Sequence, residues 1–212
     1  MFHKFIIMGP QASGKGTQGK LLAEKFDIPR ISTGDIFRKE IAEQTEIGKL
    51  VDEYLKSGKL VPDHITSSIA KKRLSKMDCK KGFILDGYPR NLDQALFLDS
   101  ITPVDKVILV NISDKEAIKR ISNRRVCIDC GSSYNLISNP PKKKDICDKC
   151  GGKIVFRSDD YPKAIAKRLE IYRSQSRPML RFYAKKNILI KVQGMQSIEG
   201  VYSDILKKLK IK

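Results

Sequence analysis

The sequence predicts an α/β fold in which a parallel sheet is flanked by helices. Short apolar runs without polar alternation, typical of strands buried on both faces, occur at 2–8, 83–85, 107–110 and 188–190. Helical patterns separate these runs, and strands that alternate with helices form parallel sheets. The 212 residues suffice for one such core with insertions and are too few for two large domains. Ligands are therefore expected at the carboxyl ends of the strands.

The first apolar run leads into a glycine-rich segment at 9–17, and a helical pattern follows it. Gly14 and Lys15 complete the pattern G-x-x-x-x-G-K, in which the backbone wraps a phosphate and the lysine reaches its β and γ oxygens. The N-terminus of the following helix also favours an anion. Gly16 stands where this motif usually has Ser or Thr, and the hydroxyl comes at Thr17. We therefore expect a nucleotide site whose magnesium ion is held through water.

The later elements follow the same alternation of strands and helices. Asp86 comes directly after the second strand, where its carboxylate either organises magnesium through bound water or caps a helix. Apolar residues recur at helical spacing within 65–74 and 201–209. The segment 163–184 predicts a long helix that is kinked near Pro178.

Two segments do not fit the rhythm of the core. The first, 32–61, contains two short helical patterns at 35–43 and 47–56 and no strand-sized apolar run. The second, 123–160, shows little helical periodicity and carries four cysteines. We interpret both segments as small insertions into the core, and a metal would supply the folding energy that the second one lacks.

The four cysteines form two pairs with metal-binding spacing, Cys127-x-x-Cys130 and Cys147-x-x-Cys150. Two short turns that each offer two thiolates can bring four sulfurs together in a tetrahedron around zinc, and the glycines after each pair suit turns with positive φ. The alternative to a metal site is a pair of disulfides, which a reducing compartment disfavours. The alternative to zinc as the metal is iron. With four protein ligands the ion would have a structural role and take no part in the chemistry.

The composition is strongly basic, with 42 Lys and Arg residues against 24 Asp and Glu residues and a net charge of +18. This balance favours anionic partners such as nucleotides or nucleic acid, although solvated helix faces account for much of it. No segment has the apolar length that spans a bilayer, and the first run ends at Gly9 without a cleavage signal. We expect a cytoplasmic protein that binds no membrane and no specific nucleic acid.

Five motifs resemble the adenylate kinase family in order and spacing, and the resemblance covers nearly the whole chain. They are Gly-Lys-Gly-Thr at 14–17, Ile-Ser-Thr-Gly-Asp at 31–35, Gly-Lys-Leu-Val-Pro-Asp at 58–63, Leu-Asp-Gly-Tyr-Pro-Arg at 85–90, and Gln94. The resemblance implies the P-loop nucleoside-monophosphate kinase fold, a parallel sheet flanked by helices with two small inserted domains. It implies reversible phosphoryl transfer from magnesium-bound ATP to AMP, giving two ADP, by a monomer that maintains the balance of adenine nucleotides.

The resemblance also divides the chain into three parts. It implies a core made of 1–31, 62–122 and 161–212. The segment 32–61 would be an AMP-binding helical insertion, and 123–160 would be the long, zinc-bearing lid of the bacterial type. Both would close over the two nucleotides.

Individual residues are assigned by the same resemblance. It implies that ATP is bound by Ala12, Ser13, Gly14, Lys15, Gly16, Thr17, Arg120, Arg124, Ser133, Tyr134 and Gln196. It implies that AMP is bound by Thr33, Arg38, Lys59, Leu60, Val61, Gly87, Tyr88, Pro89, Arg90, Gln94, Arg157 and Arg168. Catalysis would rest on Lys15, Arg38, Arg90, Arg124, Arg157, Arg168 and Asp86. Arginine suits this work because its planar fork holds two phosphate oxygens without losing its proton.

The chain departs from the family pattern at two places. Ala12 replaces a usual glycine in the phosphate-binding loop, which bears on strain in that loop. Tyr161 and Pro162 replace a polar and acidic pair after the hinge aspartates Asp159 and Asp160, which bears on the hinge contacts.

Two other functions remain open at this point. A kinase for another monophosphate, UMP or CMP, shares most of these motifs, although Thr33, Gln94 and the metal-bearing lid favour AMP. A zinc-ribbon protein that binds nucleic acid would explain the charge and the cysteines but not the phosphate loop or the arginine motifs.

Overall fold

The computed structural model describes residues 3–157 and 159–211, and it consists of two sheets and the helices around the larger one. The strands are β1 (His3–Met8), β2 (Arg30–Ser32), β3 (Gly82–Asp86), β4 (Lys106–Asn111), β5 (Arg124–Cys127), β6 (Ser133–Asn135), β7 (Ile154–Val155) and β8 (Leu189–Gln193). The helices are α1 (Lys15–Phe26), α2 (Thr33–Ala42), α3 (Glu46–Ser57), α4 (Asp63–Leu74), α5 (Leu92–Ile101), α6 (Asp114–Ser122), α7 (Pro162–Lys185) and α8 (Ile198–Lys208).

The larger sheet has five strands in the order β2-β3-β1-β4-β8, and every neighbouring pair is parallel. Because successive side chains of a strand point to opposite faces, the continuous apolar run of β1 serves two cores. Ile6 and Met8 pack with the cluster formed by α4, α5 and α7, whereas Phe5 and Ile7 pack with α1 and α8. This arrangement explains why the strands of the sequence show no polar alternation.

The helical insertion is a separate small unit beside the carboxyl ends of β2 and β3. Ser32, the last residue of β2, caps α2 by accepting a hydrogen bond from the Asp35 backbone N–H at 3.2 Å. Thr45 caps α3 in the same way through the Gly48 N–H at 3.0 Å. Phe37 and Val51 pack with residues at the start of α4, so the unit has its own apolar core.

The cysteine-bearing insertion forms a three-stranded antiparallel sheet in the order β6-β5-β7. Its buried cluster contains only Cys127, Tyr134, Cys147 and Ile154. Such a core is small for an independent unit, as the sequence analysis anticipates.

The structure confirms the predicted α/β class and the parallel sheet flanked by helices. Both predicted helices of the first insertion are present, and the helix predicted over 163–184 is α7, which continues through Pro178. Residue 2 of the first predicted strand lies outside the described residues, as do residues 1, 158 and 212 of the predicted domain ranges.

The short strand β2 was not predicted. Among the described residues, the helices lack the combination of length and hydrophobicity that crossing a membrane requires.

Candidate functional site

The phosphate-binding loop joins β1 to α1 at the carboxyl edge of the larger sheet. Gly14 is the N-cap of α1 with φ of 93°, in the left-handed region, and neither a side-chain cap nor an acidic residue occupies the first turn. A Cβ on Gly9 would lie 2.3 Å from the Val110 carbonyl oxygen, so only glycine fits there. The N–H groups at the start of α1 are thus arranged for an anion.

Lys15 lies at the centre of the positive charge in this region. Its Nζ donates to the Pro10 carbonyl oxygen at 3.2 Å. Burial lowers the pKa of Lys15 to about 8. Repulsion from Arg124, Arg168 and Arg90 also lowers this pKa, whereas the attraction of Asp86 raises it. The structure therefore brings together four of the cationic residues that the sequence analysis assigns to phosphate binding.

Asp86 ends β3 and lies beside the loop. Its Oδ2 accepts a hydrogen bond from the Arg30 guanidinium, and a Cβ on Gly16 would lie 3.5 Å from the same oxygen. Its side chain is 7% exposed, and the Asp86 Oδ1 has no hydrogen-bond partner in the described part of the chain. Asp86 does not act as a helix cap, because the next helix begins at Leu92 and is capped by Asn91.

A cleft lies between the helical insertion and the core. Its lining includes the predicted AMP-site residues Arg38, Lys59, Leu60, Val61, Arg90, Gln94 and Arg168, together with Asp159. Nearby, the Thr33 hydroxyl donates to the Gly87 carbonyl oxygen at 3.0 Å, which joins the start of α2 to the turn after β3.

Two side chains of the turn 87–94 are held in place by local hydrogen bonds. Arg90 Nε donates to the Gly87 carbonyl oxygen at 2.7 Å, and burial lowers the pKa of Arg90. Gln94 Oε1 accepts from the Arg90 N–H at 2.9 Å, and its Nε2 donates to Asp63 Oδ1 at 2.7 Å. A glutamine amide has two donor hydrogens and two acceptor lone pairs, so Gln94 retains one of each for a ligand. Tyr88, by contrast, is fully buried, and its hydroxyl contacts Ser67.

The lid and hinge arginines are paired with two buried aspartates. Arg124 Nε donates to Asp160 Oδ2 at 2.7 Å, and Arg157 Nε donates to Asp159 Oδ1 at 2.8 Å. Arg168 donates from NH1 to the Asp159 carbonyl oxygen at 3.1 Å. Burial lowers the pKa of Arg168 to about 10, whereas the neighbouring arginines hold the pKa of Asp159 well below its usual range despite its burial. These pairs keep the guanidinium groups charged and oriented at the cleft.

The remaining residues predicted on the ATP side are more dispersed. Arg120 pairs with Glu116 on its own helix at 2.7 Å, and the Gln196 amide contacts Asp204 at 2.7 Å. Ser133 is exposed on β6, but the Tyr134 side chain points into the cysteine cluster, with its hydroxyl 3.3 Å from Cys147 Sγ. A contact of Tyr134 with nucleotide would therefore involve its backbone.

The two departures from the family pattern have local explanations. Ala12 adopts φ of 58°, a left-handed conformation that costs an L-residue about 1–2 kcal/mol. Pro162 occupies the first turn of α7, where its missing N–H costs nothing, and Tyr161 packs edge-on against Phe156 at 6.0 Å between ring centroids. The hinge ion pairs are intact beside this substitution.

The four cysteine sulfurs lie within 4.8 Å of one another. Cys127 Sγ is 3.5 Å from Cys150 Sγ, and Cys130 Sγ is 3.5 Å from Cys147 Sγ. Four thiolates at Zn–S distances of 2.3 Å would be about 3.8 Å apart, so the cluster fits a tetrahedral ion rather than disulfides. The Tyr134 hydroxyl lowers the pKa of the Cys147 thiol, which favours the thiolate. The glycines after each pair have the positive φ expected for them, 67° and 74°.

Several residues of this region were not singled out by the sequence analysis. Phe37 and Leu55 line the apolar side of the cleft, and Asp63 holds Gln94. Arg30 contacts Asp86 from the neighbouring strand. In the sequence, Phe37 and Leu55 are indistinguishable from core residues of the insertion. Arg30 belongs to a strand that is too short to show a periodic pattern.

Comparisons with known proteins agree with this geometry. A family model described as adenylate kinase matches residues 7–188. The chain is also 46% identical over 211 residues to the adenylate kinase of Thermoanaerobacter sp. strain X514, with 97% of each chain covered. The chain belongs to the adenylate kinase family. Identity is 46% over 213 residues to the family member from Archaeoglobus fulgidus, covering 97% of this chain and 98% of that one. It is 47% over 206 residues to the Thermosipho africanus adenylate kinase, covering 95% and 96%.

Membership of the adenylate kinase family makes this chain a phosphotransferase that moves a phosphoryl group reversibly from ATP to AMP. The predicted fold class and activity are confirmed. Neither a UMP or CMP kinase nor a zinc-ribbon nucleic-acid-binding protein is favoured.

Proposed function

We propose that ATP binds at the phosphate loop and AMP in the cleft beside the helical insertion, so that the phosphoryl group passes between them. The observation that carries this proposal is the position of Lys15, within the electrostatic reach of Arg90, Arg124, Arg168 and Asp86 at the edge of the sheet. Phosphoryl transfer depends on positioning and charge neutralisation, and these cations would surround the transferring group.

On the ATP side, the phosphates would lie on the loop from Ala12 to Thr17 and contact Arg124. The backbone N–H groups at the start of α1, which no side chain caps, support this placement. The adenine would lie near Arg120 and the backbone at Gln196, and the lid strand at Ser133 and Tyr134 would cover the nucleotide.

On the AMP side, Arg38, Arg90, Arg157 and Arg168 would hold the phosphate. The adenine would lie against Lys59, Leu60 and Val61, with the free donor and acceptor of Gln94 at its edge and Thr33 beneath it. The turn at Gly87, Tyr88 and Pro89 would set the position of Arg90 through its carbonyl contact.

The attacking group would be an oxygen of the AMP phosphate. Its second pKa is about 6, so the phosphate is mostly dianionic at neutral pH and needs no general base. When bound with ATP, magnesium neutralises phosphate charge, and the hard carboxylate oxygen of Asp86 fits a water-mediated contact with it. Closure of the insertion (32–61) and the lid (123–160) over the core would exclude water and limit hydrolysis of ATP. The protein would work as a cytoplasmic monomer, as the sequence analysis predicts, without a specific nucleic-acid partner.

A nucleotide panel tests this proposal directly. With magnesium and ATP, AMP is expected to be converted to ADP more efficiently than UMP or CMP, because the cleft offers the Gln94 amide to an adenine and Thr33 adjoins its lining residue Gly34. Product analysis by chromatography gives kcat/KM for each acceptor on one preparation. A higher kcat/KM with UMP or CMP would contradict the assignment of the cleft.

We further propose that the cysteine cluster holds one zinc ion with a structural role. Four thiolates fill the coordination shell, which leaves no position for water or phosphate. Metal-binding energy in so small a core is largely folding energy. Replacing Cys147 and Cys150 with serine is therefore expected to remove the metal and lower the melting temperature, while turnover at low temperature is partly retained.

Three measurements on one preparation check this prediction: metal content, thermal unfolding and turnover. Cys79→Ser is the matched control, because Cys79 lies outside the cluster, next to Arg73. Full metal content in the double variant would refute the assignment of Cys147 and Cys150 as ligands. Iron in place of zinc in the metal analysis would refute the identity of the ion. Complete inactivity of a folded sample at low temperature would refute the structural role.

A further inference from the structure

Arg30 occupies an unusual position for a charged residue. It begins β2, and its side chain is only 16% exposed. One guanidinium nitrogen, NH1, donates to Asp35 Oδ2 at 2.9 Å, and the other, NH2, donates to Asp86 Oδ2. A single side chain therefore links the end of β3 in the core to the first turn of α2 in the helical insertion.

The packing around Arg30 leaves space for this side chain. Two glycines of α1 face it: a Cβ on Gly19 would lie 3.3 Å from Arg30 Cδ and 3.4 Å from its Nε, and a Cβ on Gly16 would lie 3.4 Å from its NH2. At Gly19 a methyl group would displace the Arg30 side chain by a few tenths of an ångström, whereas at Gly16 it would make an ordinary contact. Gly19 thus leaves room for the Arg30 side chain beside α1.

Asp35 extends the link to a residue of the cleft. Its second oxygen, Oδ1, accepts a hydrogen bond from Arg38 NH2. Although burial acts in the opposite direction, Arg38 and Arg30 hold the pKa of Asp35 well below its usual range. Asp35 stays ionised and binds both guanidinium groups.

Arg38 has a second carboxylate within reach. Its NH1 lies 3.6 Å from Asp159 Oδ2 at the hinge, farther than its contact with Asp35. The closer carboxylate of Arg38 is therefore Asp35, whose other oxygen is held by Arg30. Because Arg30 immobilises Asp35 from the core side, the position of Arg38 depends on Arg30.

We propose that Arg30 is a positioning residue that orients Arg38 toward the AMP phosphate through Asp35. The inference rests on the proposed function, since it assigns the cleft at Arg38 to AMP. Arg30 itself touches no nucleotide. Its loss would leave Asp35 mobile and let Arg38 turn toward Asp159, weakening AMP binding. It would also remove the partner of Asp86 Oδ2, so the test separates AMP binding from the magnesium contact.

The test compares Arg30→Gln with the wild-type chain by titration calorimetry, without turnover. The dissociation constant for AMP is expected to rise about tenfold, the order of effect of losing one charge-assisted contact. The dissociation constant for ATP, measured without magnesium because Arg30 also pairs with the proposed magnesium-side residue Asp86, is expected to stay within about twofold. Arg73→Gln is the control, because Arg73 is a partly buried arginine, 23% exposed, that pairs with the carboxylate of Asp78 at 2.6 Å but lies outside the cleft.

A second variant, Gly19→Ala, keeps the guanidinium and displaces it. Alanine favours helix, so the melting temperature is expected not to fall, whereas AMP binding weakens several-fold. Arg30→Gln in an Asp35→Asn background is expected to add little further loss, since both act through one contact. Unchanged AMP affinity in both Arg30→Gln and Gly19→Ala, or an equal loss for ATP, would overturn the inference. Failure of the wild-type chain to bind AMP would instead refute the proposed function.

Discussion

Replacing Lys15 with methionine is expected to abolish turnover, with a loss in kcat/KM on the order of 10³-fold, while the fold remains intact. Methionine has a similar length but lacks the positive charge that would meet the β and γ phosphates. Among the described residues, Lys15 Nζ donates its one hydrogen bond to the Pro10 carbonyl oxygen and forms no ion pair within 4 Å, so its removal breaks no salt bridge. Steady-state kinetics with ATP and AMP measure the loss, and thermal unfolding verifies the fold.

Lys20→Met is the matched control for this change. Lys20 lies on α1, the same helix, and is exposed. Its replacement is expected to leave kcat/KM within about twofold, as for ordinary surface substitutions. Near-normal turnover by the Lys15 variant would exclude the loop as the ATP phosphate site.

The sequence predicts the sheet well because its strands are buried on both faces. Runs such as 107–110 have no polar alternation, and this pattern is specific to a sheet covered by helices on both sides. The phosphate loop is equally readable, since its geometry requires glycine where φ is positive and lysine directly after it. The cysteine spacing likewise predicts the cluster of four sulfurs.

Elements shorter than one period of a pattern could not be predicted. The strand β2 has three residues, and β7 has two, so neither shows alternation. Both depend on tertiary pairing, β2 with β3 and β7 with β5. Sequence reasoning also missed that the Tyr134 side chain points into the cysteine cluster, because its direction follows from the register of β6 on β5.

The ion pairs at the cleft are the part of the site that only the structure reveals. The sequence identifies Arg124, Arg157 and Arg168 through motifs, but not their pairing with Asp159 and Asp160. These contacts join segments that lie far apart in the chain or fold back at the hinge. Their directions depend on how the lid, the hinge and α7 come together, which no local pattern encodes.

Replacing Arg90 with glutamine is expected to lower kcat by about 10²-fold, the cost of losing one charge-assisted donor in a closed site. Arg90 lines the cleft, and its electrostatic influence reaches both Lys15 and Arg38, so its guanidinium lies between the two proposed nucleotide sites. Burial already disfavours its charge, and its protein contact is to the Gly87 carbonyl oxygen rather than to a carboxylate. Stability should therefore change little. Single-turnover kinetics separate the chemical step from binding.

The contrast between the two nucleotides decides what Arg90 does. If it grips the AMP phosphate beside the transferring group, the glutamine variant loses kcat and some AMP affinity, whereas the dissociation constant for ATP stays within about twofold. Arg177→Gln, an exposed position on α7, is the control and should behave as the wild-type chain. A variant that lost only ATP affinity, with the single-turnover rate unchanged at saturation, would place Arg90 on the donor side and contradict its assignment to AMP.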